Sequence, residues 1–202
     1  MDAIPVILVH GYLASPVLMK PLQRRFRQLG REAFTVSLTP FAVGDVRRMA
    51  RQLDASINTV LNQTGAQRVD VVGVSLGGIL GRYWLQELDG VRRTRRFVAV
   101  GSPFAGTWFA LLGVLTLGLV SRGAWQCLPG SGLLQEIRGK LPIPCTSISM
   151  RGDRVAPPER CRIPGGDNIV LDPPRFLSPV AHQYLVLSDE TMRAIHQALT
   201  RP

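Results

Sequence analysis

Lysine is almost missing from this chain. Of its 24 basic residues only Lys20 and Lys140 are lysines and the rest are arginines, set against 14 acidic residues for a net charge of +10. Such a balance draws a protein toward anionic surfaces. It fits arginines spread over solvated helix faces, and it fits a basic face that adsorbs to an anionic lipid interface. A nucleic-acid partner is not expected, because the arginines are scattered and no helix-turn-helix, zinc-finger or RNA-binding aromatic pattern accompanies them.

Cysteine is scarce as well. Cys127, Cys145 and Cys161 cannot all pair within one chain, and they lack the close ligand spacing of a zinc site, so the sequence calls for no metal and no cofactor. A disulfide between Cys145 and Cys161 stays open for an oxidising compartment, although a core of this size needs no staple. Long hydrophobic runs are absent too. The longest, Trp108 to Val120, has 13 residues, short of the ~18–20 that span a bilayer. Met1 leads straight into an apolar strand pattern with no basic segment, long apolar segment and cleavage site of an export signal. The default expectation is therefore a cytoplasmic address, with a secreted mature form as the alternative.

What is present suits one folded domain over residues 1–202. Hydrophobic residues make up 46% and charged residues 19%, which excludes the low-hydrophobicity, high-charge composition of disordered chains. From Ala3 to His10 an almost continuous apolar run predicts a strand buried on both faces, hence a parallel central sheet. Ser15, Pro16 and the spacing Leu18, Leu22, Phe26, Leu29 predict a helix that Gly30 closes. A second strand is expected over Ala33–Leu38, ended by Pro40, and a helix from Asp45 with Val46, Met49, Leu53, Ile57 and Val60 inward. Strand Arg68–Val74, helix Leu76–Leu88 and strand Arg96–Val100 follow. After some 40 irregular residues, strands at Cys145–Met150 and Asn168–Leu171 and a helix from Ser188 complete the pattern. Alternation of this kind specifies an α/β fold with helices on both faces of a mostly parallel sheet and ligands at the strands' carboxyl ends.

The sharpest feature is Gly73-Val74-Ser75-Leu76-Gly77-Gly78, lying where a buried strand meets a helix. A nucleophile on so tight a turn needs small residues two before and two after it, and Gly73 and Gly77 fill those places. A serine hydroxyl is a weak nucleophile, so Ser75 needs a base and the base needs an orienting acid. Histidine occurs three times, at 10, 182 and 196. His196 falls in the terminal helix, and His10 ends the first strand, where it braces the following loop. His182 sits in an expected loop between the last strand and the last helix, and is the candidate base. Asp153, three residues past Met150, is the candidate acid, with Asp167 and Asp172 as substitutes.

These residues resemble the α/β-hydrolase fold and, within it, the small bacterial lipases that lack a large cap domain. The resemblance runs over nearly the whole chain: Val9-His10-Gly11-Tyr12, the Gly73–Gly78 elbow, Gly101-Ser102-Pro103-Phe104-Ala105-Gly106-Thr107, Gly152-Asp153-Arg154-Val155 and Ala181-His182. The order Ser75, Asp153, His182 is the order such enzymes use. The resemblance implies a minimal sheet of about six strands, and it implies that the backbone N–H groups of Tyr12 and Leu76 form an oxyanion hole. It brings no calcium site, since Asp167 and Asp172 alone do not establish one.

The apolar excursion over about 104–140 bears on substrate preference. Its segment 107–132 reads either as a buried core helix or as a short lid or pocket wall, with Trp108, Phe109, Leu112 and Leu115 meeting an acyl chain or a lipid surface. The expected activity is hydrolysis of carboxylic esters, most of all acylglycerols or similar lipid esters, through an acyl-enzyme. Rates should fall as the histidine base is protonated, near the ordinary ~6.5. The same triad serves acyl transfer and the hydrolysis of lactones, thioesters or phospholipid esters, and a non-catalytic lipid-binding module is the reading outside enzymes. The partner is a lipid or small ester substrate, and the oligomeric state stays open.

Overall fold

Every residue of Val6–Val9 is buried, with Val6 and Leu8 packing into one core layer and Ile7 and Val9 into the other, as a strand inside a two-faced sheet requires. The computed structural model describes residues 4–38, 41–117, 121–174 and 181–201. Strands β1 (Val6–Val9), β2 (Ala33–Thr35), β3 (Val69–Val74), β4 (Thr94–Val100), β5 (Cys145–Met150) and β6 (Asp167–Leu171) form a six-stranded sheet of order β2-β1-β3-β4-β5-β6, paired in parallel throughout. The chain builds β2 on one side of β1, then returns to place β3 on the other. The loops that leave β1 and β3 consequently diverge at the sheet's carboxyl edge, where a crevice opens for a ligand.

Helices α1 (Lys20–Gln28), α7 (Ala181–Leu187) and α8 (Asp189–Thr200) cover one face, and α2 (Val46–Thr64) and α3 (Leu76–Glu87) the other. Helix α2 follows its sequence signals closely. Asp45 accepts the Arg48 N–H as its cap, the Val46, Met49, Leu53, Ile57, Val60 stripe is buried, and Gly65 ends it in the left-handed conformation. At α8, Ser188 accepts the Thr191 N–H, and Met192, Ile195 and Leu199 point inward.

The first helix departs from expectation. Residues Pro16–Met19 form a 3-10 turn and α1 begins only at Lys20, because Pro21 has no N–H to continue a hydrogen-bond ladder through this point. Ser15 makes no side-chain cap bond, Leu18 and Leu29 are exposed, and Met19 joins Leu22 and Phe26 inside. Strand β2 stops at Thr35, although Val36 still donates its N–H to the Leu8 carbonyl and Leu38 is buried; Pro40 lies outside the described residues. Strands β4 and β6 start one to two residues earlier than the apolar pattern indicates, since backbone pairing extends past the apolar residues.

Among the described residues the excursion holds three short helices, α4 (Ala110–Leu117), α5 (Arg122–Gln126) and α6 (Gly132–Glu136). A buried core helix is not what forms: Trp108 is 60% exposed, Leu112 58% and Leu115 78%. Of the remaining apolar run, Leu119 and Val120 lie outside the described residues. The disulfide option is not taken up either, because Cys127, Cys145 and Cys161 are all buried free thiols. At the amino edge of the sheet the fully buried Asp70 carboxylate is held by Arg31 and Arg95, so its charge is paired where it is desolvated.

Candidate active site

Strand β3 delivers Ser75 to the crevice at φ 53° and ψ −121°, a conformation rarely adopted by a residue with a side chain, and α3 starts at the next residue. The glycines around it are dictated by contact. A Cβ on Gly73 would stand 2.5 Å from the Gly77 carbonyl oxygen, and one on Gly77 would collide with the Val9 carbonyl. The Ser75 N–H donates to the Val100 carbonyl at 2.8 Å, which ties the turn to β4.

His182 does not lie in a loop. It is the second residue of the seven-residue helix α7, whose Ala181 and Leu185 pack under the sheet's edge and orient the ring. Its Nε2 lies 3.1 Å from Ser75 Oγ and its Nδ1 lies 2.7 Å from Asp153 Oδ2. Asp153 follows β5, and its side chain is wholly buried; its second oxygen accepts the N–H groups of Val155 at 2.8 Å and Ala156 at 2.9 Å. Those two bonds offset the desolvation of a carboxylate and fix its plane. The substitutes point elsewhere: Asp167 pairs with Arg201 and Asp172 with Arg151, all of them on the surface.

The loop after β1 passes directly against the turn, so close that a Cβ on Gly11 would be 3.0 Å from Ser75 Cβ. Tyr12 and Leu76, the candidate oxyanion donors, thus belong to the two segments that flank Ser75, and as the first residue of α3 Leu76 has an N–H with no partner inside its helix. His10 is buried, and its Nδ1 donates to the Gly11 carbonyl at 3.1 Å; burial holds its pKa below the usual histidine value, opposed by that hydrogen bond. His196 is half-buried in α8 beside a groove of about 750 Å³ lined by Arg24, Arg25 and Arg193, in which no triad residue takes part.

A cavity of about 120 Å³ opens beside Ser75, walled by Tyr12, Leu76, Ile79, Phe109, Ala124 and Cys127 among others. Of the four residues expected there from the apolar run, Phe109 lines it, while Trp108, Leu112 and Leu115 lie outside and are exposed. Cys127 cannot compete as a nucleophile, since burial pushes its thiol up to about 12. Sequence reasoning passed over Ile79 of α3 and Ala124 of α5, whose places beside the cavity follow from how those helices pack and carry no local pattern. Among the described residues no cluster of metal-binding side chains occurs.

A parallel six-stranded sheet with a strand-turn-helix serine at its carboxyl edge and a histidine and a carboxylate in line behind it defines the architecture of an α/β hydrolase. The chain belongs to the α/β-hydrolase fold family, whose model matches residues 4–115. Solved structures agree on the fold. The Bacillus licheniformis lipase BlEst2 in its mature form is similar over 99% of this chain and 93% of its own, with a TM-score of 0.80 at 16% identity. Aspergillus fumigatus lipase B matches 84% of this chain and 44% of its own, with a TM-score of 0.69 at 19% identity. An enol-lactonase from Burkholderia xenovorans matches all of this chain and 93% of its own, with a TM-score of 0.69 at 13% identity. The chain is accordingly a hydrolase by family.

Proposed function

We propose that the protein is a serine hydrolase of carboxylic esters, acting on lipid or similar apolar esters through an acyl-enzyme. The observation that carries this reading is the line Ser75 Oγ, His182, Asp153, with 3.1 Å and 2.7 Å between successive members. Ser75 attacks the ester carbonyl as its proton passes to His182 Nε2. Asp153 holds the Nδ1–H and stabilises the imidazolium, and His182 returns the proton to the leaving alcohol. Water then attacks the acyl-enzyme by the same route in reverse and releases the acid. The N–H groups of Tyr12 and Leu76 receive the negative oxygen of both tetrahedral intermediates, where each donor is worth ~3–4 kcal/mol.

Apolar surroundings support an apolar substrate. The cavity of about 120 Å³ is small against the ~300–1,000 Å³ usual for ligand pockets, so it takes only the start of an acyl chain. The rest of a longer chain would lie against the exposed Leu112 and Leu115 of α4. The net charge of +10 favours adsorption to anionic lipid, which vesicle binding would show as a preference for anionic over zwitterionic lipid that salt abolishes.

Turnover of p-nitrophenyl esters from acetate to palmitate, by the wild type and by Ser75→Ala, tests the reading. Activity that vanishes in the variant and covalent labelling by a fluorophosphonate are expected; an inert wild type that takes no label overturns it. Replacing Leu112 and Leu115 by serine should slow long-chain esters more than short ones, and equal loss on both would remove the role given to α4.

A further inference from the structure

We propose that Ser121 is a positioning residue for the oxyanion loop, acting through the ring of Tyr12. The inference rests on the ester-hydrolase reading above and adds to it a residue far away in sequence. Ser121 stands at the N-cap of α5, where a serine hydroxyl ordinarily accepts an N–H from the helix's first turn. It makes no such bond. Its hydroxyl is instead paired with the Tyr12 hydroxyl at 2.5 Å, across 109 residues of chain, and the whole residue is buried.

The platform under Ser121 is firmly held. Gly123 donates its N–H to the Val43 carbonyl at 3.2 Å, and the Gln126 amide bridges the loop before α2, accepting the Val46 N–H at 2.7 Å and donating to Asp45 at 2.8 Å. From the other side α4 closes on the same ring, since a Cβ on Gly113 would stand 2.7 Å from the Tyr12 hydroxyl oxygen and 3.0 Å from Ala124 Cβ. The tyrosine is therefore clamped at its far end by a fixed partner and a helix without a side chain at the contact.

What the clamp secures is a strained turn. Leu13, next to Tyr12, sits at φ 52°, in the left-handed region that residues with a Cβ avoid and keep only when their surroundings impose it. A phenol ring has two torsions, so holding its hydroxyl restricts where the Tyr12 backbone can lie. Freed from Ser121, the turn can relax and carry the Tyr12 N–H away from the position it needs when the oxyanion forms. Preorganised donors lose their effect on the rate with small displacements.

The experiment compares Ser121→Ala, Tyr12→Phe, the double variant and Ser121→Thr on p-nitrophenyl butyrate, with active sites counted by fluorophosphonate. Each single variant should lower kcat per titrated site about tenfold with KM changed less than about twofold. The double variant should be no slower than the singles, the acid limb of the pH profile should stay in place, and Ser121→Thr should recover the rate. A kcat per titrated site equal to wild type, even with a lowered Tm, would reduce the contact to structural support and overturn the proposal, as would losses that multiply in the double variant. Tyr12→Phe removes the same bond from a half-buried position if Ser121→Ala does not fold. A wild type that neither labels nor turns over overturns the ester-hydrolase reading itself, whereas an active wild type with unaffected variants overturns only the role of Ser121.

Discussion

Gly101 lies directly beneath the imidazole of His182: a Cβ there would stand 3.3 Å from its Cε1, 3.4 Å from its Nδ1 and 2.9 Å from the Leu185 side chain. The residue is also at φ 56°, so its lack of a side chain serves both the turn after β4 and the seat of the histidine. Gly101→Ala should cost about 1–3 kcal/mol of stability through overpacking and strain. Pushing the ring off its line to Ser75 should lower kcat by about 10². Urea unfolding and ester kinetics on the same sample check both, and unchanged kinetics in a destabilised variant would separate the turn from the catalytic line.

Asp153→Asn tests the acid. The asparagine carbonyl would take over the bonds from Val155 and Ala156, leaving its NH₂ toward His182 Nδ1. A donor there forces Nδ1 to accept, so the proton moves to Nε2 and the ring can no longer receive one from Ser75. Turnover should fall on the order of 10⁴-fold. Asp167→Asn and Asp172→Asn, which break only surface ion pairs, should leave it within about twofold of wild type.

His10 gives a pH dependence of stability with a definite sign. Burial lowers its folded-state pKa below the unfolded ~6.5, so from that value downward the unfolded chain binds a proton that the folded chain refuses. Stability is fully present above the unfolded pKa and is lost as pH falls below it, by at most about 1.4 kcal/mol per pH unit for one proton. Urea midpoints between pH 7.5 and 5.5 should decline in the wild type and decline less in His10→Gln.

The three thiols should be silent in the native protein. Burial raises all of them, Cys127 to about 12, so at pH 8 about one Cys127 in 10⁴ is thiolate. A thiol-exchange reagent should find no reactive cysteine in the folded chain and three in denaturant. Recovery of a single thiol would mean that two of the three cysteines had paired after all.

Much of the fold was legible because it is written locally. A strand buried on both faces favours an unbroken apolar run, and Val6–Val9 displays one; a helix packed on a sheet needs one apolar stripe, and α2 carries it with its Asp45 and Gly65 caps. The turn at Ser75 was legible for the same reason, since backbone collisions at Gly73 and Gly77 leave glycine as the residue that fits. Where a local signal was misread, a neighbouring residue changed the outcome. Pro21 divides the first helix, and the short helix α7 forms around His182 because Leu185 finds a place against the sheet.

Sequence by itself determined the alternation of elements, the elbow serine and the order in which its candidate partners follow, because these depend on periodicity and on the backbone conformations that each residue allows. Tertiary structure alone decided which aspartate meets His182, that α4 turns Leu112 and Leu115 to solvent, that Gly101 lies under the ring and that Ser121 reaches Tyr12. Those relationships join residues tens of positions apart through loops whose paths are set by packing, and packing has no period along the chain.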